Sequence, residues 1–365
     1  MEKVLKKDFI RIGFSGAASW AWGTSLIMGQ QIAQEKGLIA WIIWAVCNSL
    51  TLALLGILFN KKIISKEVFK KKEAKVVALI IQLFCLLVQL NFINQQFLKI
   101  LGNPLYSYII TVVIGFIFTL IVFKRGLPTS INTDIAQWVG AIVSIVVIIS
   151  IGIITNAPLQ QFANTTPSGV LWGVWSGLIL FAGPIGDVQH WQRVESDRSK
   201  KAYYFAAFLF ALYMVLILGM AFFEFTKLMN IILLLTVLCV TTSTIDSIAV
   251  ATHEIKNKTV GTIVSLLICL TWGLFIKIGM IDLWSSFGVI RFAFAIGILL
   301  FPLCMKGNIK SVIPISILGI ATLSIFTILG QINIDNIAGK ICMVIAVVIL
   351  VYTSVLSIIN KKRKI

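Results

Sequence analysis

Acid–base chemistry has little material in this chain: two histidines and 14 carboxylates among 365 residues. No His-Glu-x-x-His pair occurs, nor two carboxylates at metal-binding spacing, nor a phosphate-cradling glycine loop. The six cysteines (Cys47, Cys85, Cys239, Cys269, Cys304 and Cys342) show no metal-type spacing. All fall in apolar runs, where a thiol reads as a small hydrophobe. Charge is scarce as well. Lys, Arg, Asp and Glu make up 12% of the residues, about half the share in soluble domains. No stretch is polar enough to form a soluble domain. The basic start runs into a span-length segment without a convincing cleavage site, so a removable leader is not expected.

Apolar residues are abundant, at 59%. They fall in twelve runs, each near the ~20 residues that cross hydrocarbon. The runs lie near 13–34, 38–60, 76–97, 105–123, 134–155, 169–190, 202–224, 229–252, 260–276, 284–304, 311–330 and 338–359. The expected class is an all-α polytopic membrane protein with about twelve transmembrane helices. A net charge of +17 would suit nucleic acid, but its distribution does not. Twenty-five of the 31 lysines and arginines lie in the termini and in alternate connections, five lie on the opposite side and Arg291 lies within a span. This is the positive-inside pattern, which predicts a multi-pass protein of the cell membrane with both termini cytoplasmic. The basic segments are then topology signals and contacts to anionic lipid of the bilayer; no nucleic-acid partner is expected.

Two of the runs are interrupted. The first reads Gly13-Phe14-Ser15-Gly16-Ala17-Ala18-Ser19-Trp20-Ala21-Trp22-Gly23-Thr24-Ser25, crowded with small residues; the sixth reads Phe181-Ala182-Gly183-Pro184-Ile185-Gly186-Asp187. Backbone groups freed at such breaks are tolerable in a membrane only beside a cavity. Breaks at corresponding positions of two halves point to an inverted-repeat transporter site. The plainer reading is close packing in one run and a proline kink in the other. The eighth run carries Thr241-Thr242-Ser243-Thr244-Ile245-Asp246-Ser247. At about 100° per residue, Val240, Ser243, Thr244 and Ser247 share one face. An oxygen-rich face suits a hard cation such as sodium, and it equally suits hydroxyl-mediated packing between helices.

Three more motifs complete a pattern. Gly126-Leu127-Pro128 leads into Thr133-Asp134-Ile135-Ala136-Gln137. Gln189-His190-Trp191-Gln192-Arg193 follows the sixth run, and Ser199-Lys200-Lys201-Ala202 opens the seventh. In this order, and with Ser243-Thr244 and Asp246-Ser247 in the eighth, the chain resembles the sodium:solute symporter family over about Gly13–Leu303. That family includes the proline, pantothenate and sugar symporters and belongs to the amino acid–polyamine–organocation superfamily. The resemblance implies a leucine-transporter-type fold. Residues 1–12 would be a cytoplasmic N-terminus, 13–155 and 156–304 two inverted five-helix repeats, and 305–365 two extra helices with a basic tail. It implies no cofactor beyond sodium as coupling ion. The sodium would be held by the carbonyls of Ser19, Trp22 and Val240 and the hydroxyls of Ser243 and Thr244. A small polar solute would lie against Ser19, Trp20 and Gly23 on the first span and Trp175, Phe181, Gly183 and Pro184 on the sixth. An amino acid, a carboxylate, a vitamin or a nucleobase would each fit the breaks.

The chain departs from the family in starting directly at the core's first helix, and in placing Ala21 where proline-type members carry a carboxylate. Asp246, Ser247, Arg291 and Asp187 are candidates for coupling or gating, with Asp246 or Asp282 as the expected partner of Arg291. Asp134 reads as a cap for the free amides of its own helix. Asp187, Gln192 and Arg193 read as fixing the loop after the sixth span, and the two histidines as structural. Three alternatives remain. A proton-coupled or uncoupled permease of the same fold, such as a nucleobase permease, would fit a twelve-helix layout. A sensor on the same scaffold would lack transport. An intramembrane serine protease would use Gly13-Phe14-Ser15-Gly16, but neither histidine falls within reach of Ser15 as a base, so an enzyme is not expected.

Overall fold

The computed structural model describes residues 2–64, 66–123, 126–197, 200–255, 257–275, 280–305, 309–332 and 337–362. Ser199 and several basic loop residues, among them Lys124, Arg125, Arg198 and Lys256, lie outside that set, as does the side chain of Cys304. Fourteen α-helices follow one another among the described residues. The first crossing is split into α1 (Glu2–Trp20) and α2 (Gly23–Lys36). Next come α3 (Leu38–Asn60), α4 (Lys72–Leu101), α5 (Pro104–Ile121) and α6 (Leu127–Ile154). The sixth crossing is split into α7 (Pro167–Ala182) and α8 (Val188–Ser196). The remainder are α9 (Ala202–Ala221), α10 (Lys227–Ile255), α11 (Lys258–Thr271), α12 (Met280–Met305), α13 (Ile309–Ile328) and α14 (Ile337–Lys362). Strand pairing among the described residues is limited to one antiparallel bridge, Leu159 with Phe223.

Eight of these helices are long and apolar enough to cross a bilayer alone. With the shorter apolar helices α7, α11 and α13 and the broken first crossing, they account for the twelve spans expected from hydropathy. The faces of α5 show which solvent they were selected for. Ser107, Thr111, Gly115 and Thr119, four residues apart, are buried, whereas Leu105, Ile109, Val113 and Ile117 point outward. Small and polar groups face the bundle and branched apolar ones face out, as lipid requires. The chain is a multi-pass membrane protein.

Local chemistry sets several helix ends. Gly102 closes α4 in the left-handed region (φ 64°), and Asn103 then caps α5 by accepting from the amides of Leu105 and Tyr106 (3.0 and 3.1 Å), with Pro104 as first helical residue. Thr166 does the same for α7, accepting from Gly169, with Pro167 in the first turn. Gly37 alone separates α2 from α3. Its φ of 90° and ψ of 163° suit glycine alone. Two helices sit deepest: 83% of the apolar stretch of α12 is buried and 67% of that of α4, against 22% for α5. The broken crossings pack around these two.

Candidate functional site

The first break spans Ala21 and Trp22 and contains no proline. Neighbouring helices hold it open. The amide of Gly23, the first of α2, donates to Gln89 Oε1 of α4 at 3.1 Å. A Cβ at 23 would press into Thr241 of α10. The Trp22 indole folds back to donate to the Ser19 carbonyl (3.1 Å), and Trp20 Nε1 donates to the carbonyl and Oδ1 of Asn48 on α3 (3.0 and 2.8 Å).

The second break covers Gly183–Asp187. Pro184 offers no amide, and Asp187 restarts the chain as the cap of α8, accepting from the Gln189 amide at 3.2 Å. Gln82 Nε2 of α4 donates to the same carboxylate at 2.9 Å, and Gln189 Nε2 at 2.6 Å. Gln82 and Gln89 lie seven residues apart, two turns along one face of α4. One helix therefore binds both breaks. A pair of amides at that interval in an apolar run is the sequence signal that marks them.

Between the breaks lies a small cavity. Trp20 and Trp22 line it from the first crossing, with Thr24, Ser25 and Met28 of α2. Trp44 and Asn48 of α3, Leu180 of α7, and Trp284 and Arg291 of α12 complete the wall. The space is about 10 Å³, room for a single water, so a solute enters only as these side chains move. Arg291 is 1% exposed and lies over three rings, 4.9 Å from the centre of Trp22, 5.3 Å from Trp20 and 5.5 Å from Phe287. Desolvated cation–π contacts are worth about 2 kcal/mol; burying an ion costs several. Gly183 makes room for this arrangement, since a Cβ there would overlap Arg291 Nη2 and the Trp20 ring.

A second cluster joins α1, α6, α8 and α10. Arg193 Nη2 pairs with Asp134 Oδ2 at 2.8 Å, both side chains fully buried. The same guanidinium donates to Ser15 (2.7 Å), Ser130 (3.0 Å), Ser247 (2.7 Å) and the Gln189 carbonyl (2.9 Å). Asp134 also accepts from the hydroxyls of Ser15 and, at 2.7 Å, Ser243. Asp246 accepts from Ser130 (2.7 Å) and Thr133 (2.6 Å), and more weakly from Ser247 (3.3 Å). Ser15 precedes the first break and Arg193 follows the second, so the cluster locks α1, α8 and α10 together at the end of the bundle to which the Lys61–Lys62 turn belongs.

This geometry changes several expectations. Asp134 is no helix cap: α6 begins seven residues earlier, at Leu127, and the carboxylate serves Arg193 instead. Arg193 is a buried ion-pair partner joining three other helices, more than a loop anchor. Arg291 pairs with neither Asp246, which is held by hydroxyls, nor Asp282, about 13 Å away on the same helix at 1.5 Å per residue. Trp20, Trp22 and Arg291 line the cavity, and Gly183 abuts Trp20 and Arg291 from behind the wall. Trp175 does not line it; its ring packs on Phe292 and Phe326, 5.8 and 4.9 Å between centres. Phe181 is likewise off the wall and half-buried, and the Pro184 carbonyl accepts from the Asp187 amide within the break.

The oxygens expected to hold sodium are already engaged inside the protein. Thr244 donates to the Val240 carbonyl (3.1 Å), Ser243 to Asp134, and the carbonyls of Ser19 and Trp22 accept from the Trp22 indole and the Ser25 amide. Each carbonyl keeps a second lone pair and each hydroxyl its own acceptor capacity. Among the described residues no cluster of three or more His, Cys, Asp or Glu is placed to hold a metal.

Split first and sixth crossings, five apart, give the chain the architecture of a polytopic membrane protein with two broken helices. No family model and no curated protein matches the chain. Among solved structures, a Na+-coupled sialic acid symporter in a substrate-bound outward-open state matches 95% of this chain and 90% of its own, at 14% identity and a TM-score of 0.54. This likeness establishes the shared fold. A manganese transporter from Eremococcus coleocola aligns over 98% of this chain and 96% of its own, at 14% identity and a TM-score of 0.49.

Proposed function

We propose that the chain is a secondary active transporter that moves a small polar organic solute together with sodium by alternating access. The observation that carries this reading is the pair of helix breaks, five crossings apart, that are held by one helix and approach each other at Trp20 and Arg291. Discontinuous helices at the midplane place backbone groups and dipole ends where a solute and an ion can use them. Sodium would bind between α1 and α10, on the carbonyls of Ser19, Trp22 and Val240 and the hydroxyls of Ser243 and Thr244. The solute would contact Trp20, Gly23 and Gly183 at the breaks. Coupling then follows if each ligand binds better in the other's presence.

The Asp134–Arg193 cluster would be the closed gate on the cytoplasmic side, with both termini on that side. Release to the cytoplasm requires α8 to part from α1 and α6, which breaks the contacts of Arg193 with Ser15 and Asp134. Asp187 and Ser247 belong to the same moving parts, one capping α8 and the other bonded to Arg193.

The test is thermal stability of the purified protein in sodium against potassium at equal ionic strength, because a ligand of the folded state raises stability by mass action. A sodium-specific rise that is lost in Ser243→Ala/Thr244→Ala supports the ion site; equal stability in both salts at concentrations far above physiological sinks sodium coupling. The second reading is then proton coupling through Asp246. Its carboxylate is bonded by hydroxyls alone, without a cation at ion-pair distance among the described residues.

A further inference from the structure

The central cavity is lined by a buried cation with no ion-pair partner among the described residues. Arg291 is 1% exposed, and its Nε and Nη2 have no hydrogen-bond partner among the described residues. Trp44 Nε1, on the same wall, also lacks an acceptor. Asn48, opposite, is engaged by Trp20. Asp187 acts on Arg291 electrostatically, but Gln82 and Gln189 hold its oxygens. Neither the Asp134–Arg193 pair nor the Lys70–Glu67 pair involves Arg291. The buried side-chain atoms of the wall that lack a partner among the described residues, Arg291 Nε and Nη2 and Trp44 Nε1, are all donors.

The amino end of α2 adds to this. The helix starts at Gly23 with no side-chain cap, and Trp22, Thr24 and Ser25 around that start face the cavity. The Gly23 and Ser25 amides are taken by Gln89 and the Trp22 carbonyl, so what this end offers an anion is the positive end of the helix dipole. The rest of the wall is indole and aliphatic surface from Trp20, Trp284, Met28 and Leu180. Donors gathered around a guanidinium, beside flat apolar walls, suit a carboxylate carrying an apolar group. A neutral polyol would leave the charge unmatched, and a cation would be repelled.

We propose that the solute is a small monocarboxylate whose carboxylate pairs with Arg291 at the amino end of α2, with its apolar part against the indoles. This assignment rests on the reading of the cavity as the solute site. Gly183 allows it sterically, because any side chain there would displace the guanidinium.

The experiment titrates the purified full-length protein, in sodium methanesulfonate at fixed ionic strength, with propionate and benzoate, with propionamide and benzamide, and with chloride. Thermal stability is the readout. Stabilisation by the acids at concentrations at least ten times lower than by the amides supports the proposal, as does loss of that preference in Arg291→Gln. The acid–amide comparison on the unaltered chain stands even if the variant fails to fold. Amides that match the acids overturn the proposal; so does a chloride shift that the acids do not exceed, which would make Arg291 the seat of a structural halide. Uptake into proteoliposomes separates this inference from the transport reading. Sodium-driven uptake of a neutral solute with no preference for acids overturns the monocarboxylate and leaves transport standing. Acid-specific binding without uptake or exchange supports the monocarboxylate and overturns transport.

Discussion

Gln89 answers the question that a helix break poses in a membrane, which is where the freed amide goes. Its Oε1 accepts from Gly23, the first residue of α2, so Gln89→Leu leaves that N–H unmet in a dry interior. The expected loss is about 1–3 kcal/mol, read as a lower denaturation midpoint. Glycines at the second break separate by what surrounds them. A Cβ at 183 overlaps Arg291 and Trp20, whereas one at 186 finds its nearest neighbours at an ordinary 3.6 Å. Gly183→Ala should therefore destabilise by about 1–3 kcal/mol, as overpacking does, and Gly186→Ala should leave the midpoint nearly unchanged. Equal effects of the two substitutions would contradict the packing described at Arg291.

The elements α1, α6, α8 and α10 meet through one buried ion pair, and its energetics are testable as a cycle. Removing either partner leaves a charge in the interior, at about 3–5 kcal/mol. Asp134→Leu and Arg193→Met should each be severe, and the double variant should lose much less than their sum. Additive losses would show that the serines, not the pair, hold the helices. At this scale the sequence was most informative about the spans, because hydropathy and the lipid-facing stripe of α5 obey the same solvent. The break at Gly183-Pro184 was legible because proline and glycine carry their backbone consequences locally. The break at Ala21-Trp22 could be placed only within a glycine-rich run, since its opening depends on Gln89 and Thr241 from other helices. Asp134 differs from the expected cap because apolarity places the start of its helix near Asp134 itself, whereas Leu127 and Pro128 already begin it. The partners of Arg291 are the rings of Trp20, Trp22 and Phe287, and an aromatic face leaves no mark in charge spacing.

For the whole molecule, twelve crossings place both termini on one side, and the bias of lysine and arginine predicts that this side is cytoplasmic. Lys62 and Asn156, both exposed at opposite turns, allow a direct check. In a cysteine-free background, an impermeant maleimide applied to intact cells should label Asn156→Cys and spare Lys62→Cys until the membrane is opened. The reverse pattern would invert the topology and move the Asp134–Arg193 cluster to the outside. The molecule's movement is further constrained by α4. This 30-residue rod is pinned through Gln89 to one break and through Gln82 to the other, at points about 10 Å apart along its axis. A connecting rod with two pins transmits the swing of one crank to the other. The two hinges should then turn in phase, so distance reporters across α1 and across α8 would switch in the same dwell, and cutting one pin with Gln82→Leu would let them drift out of step.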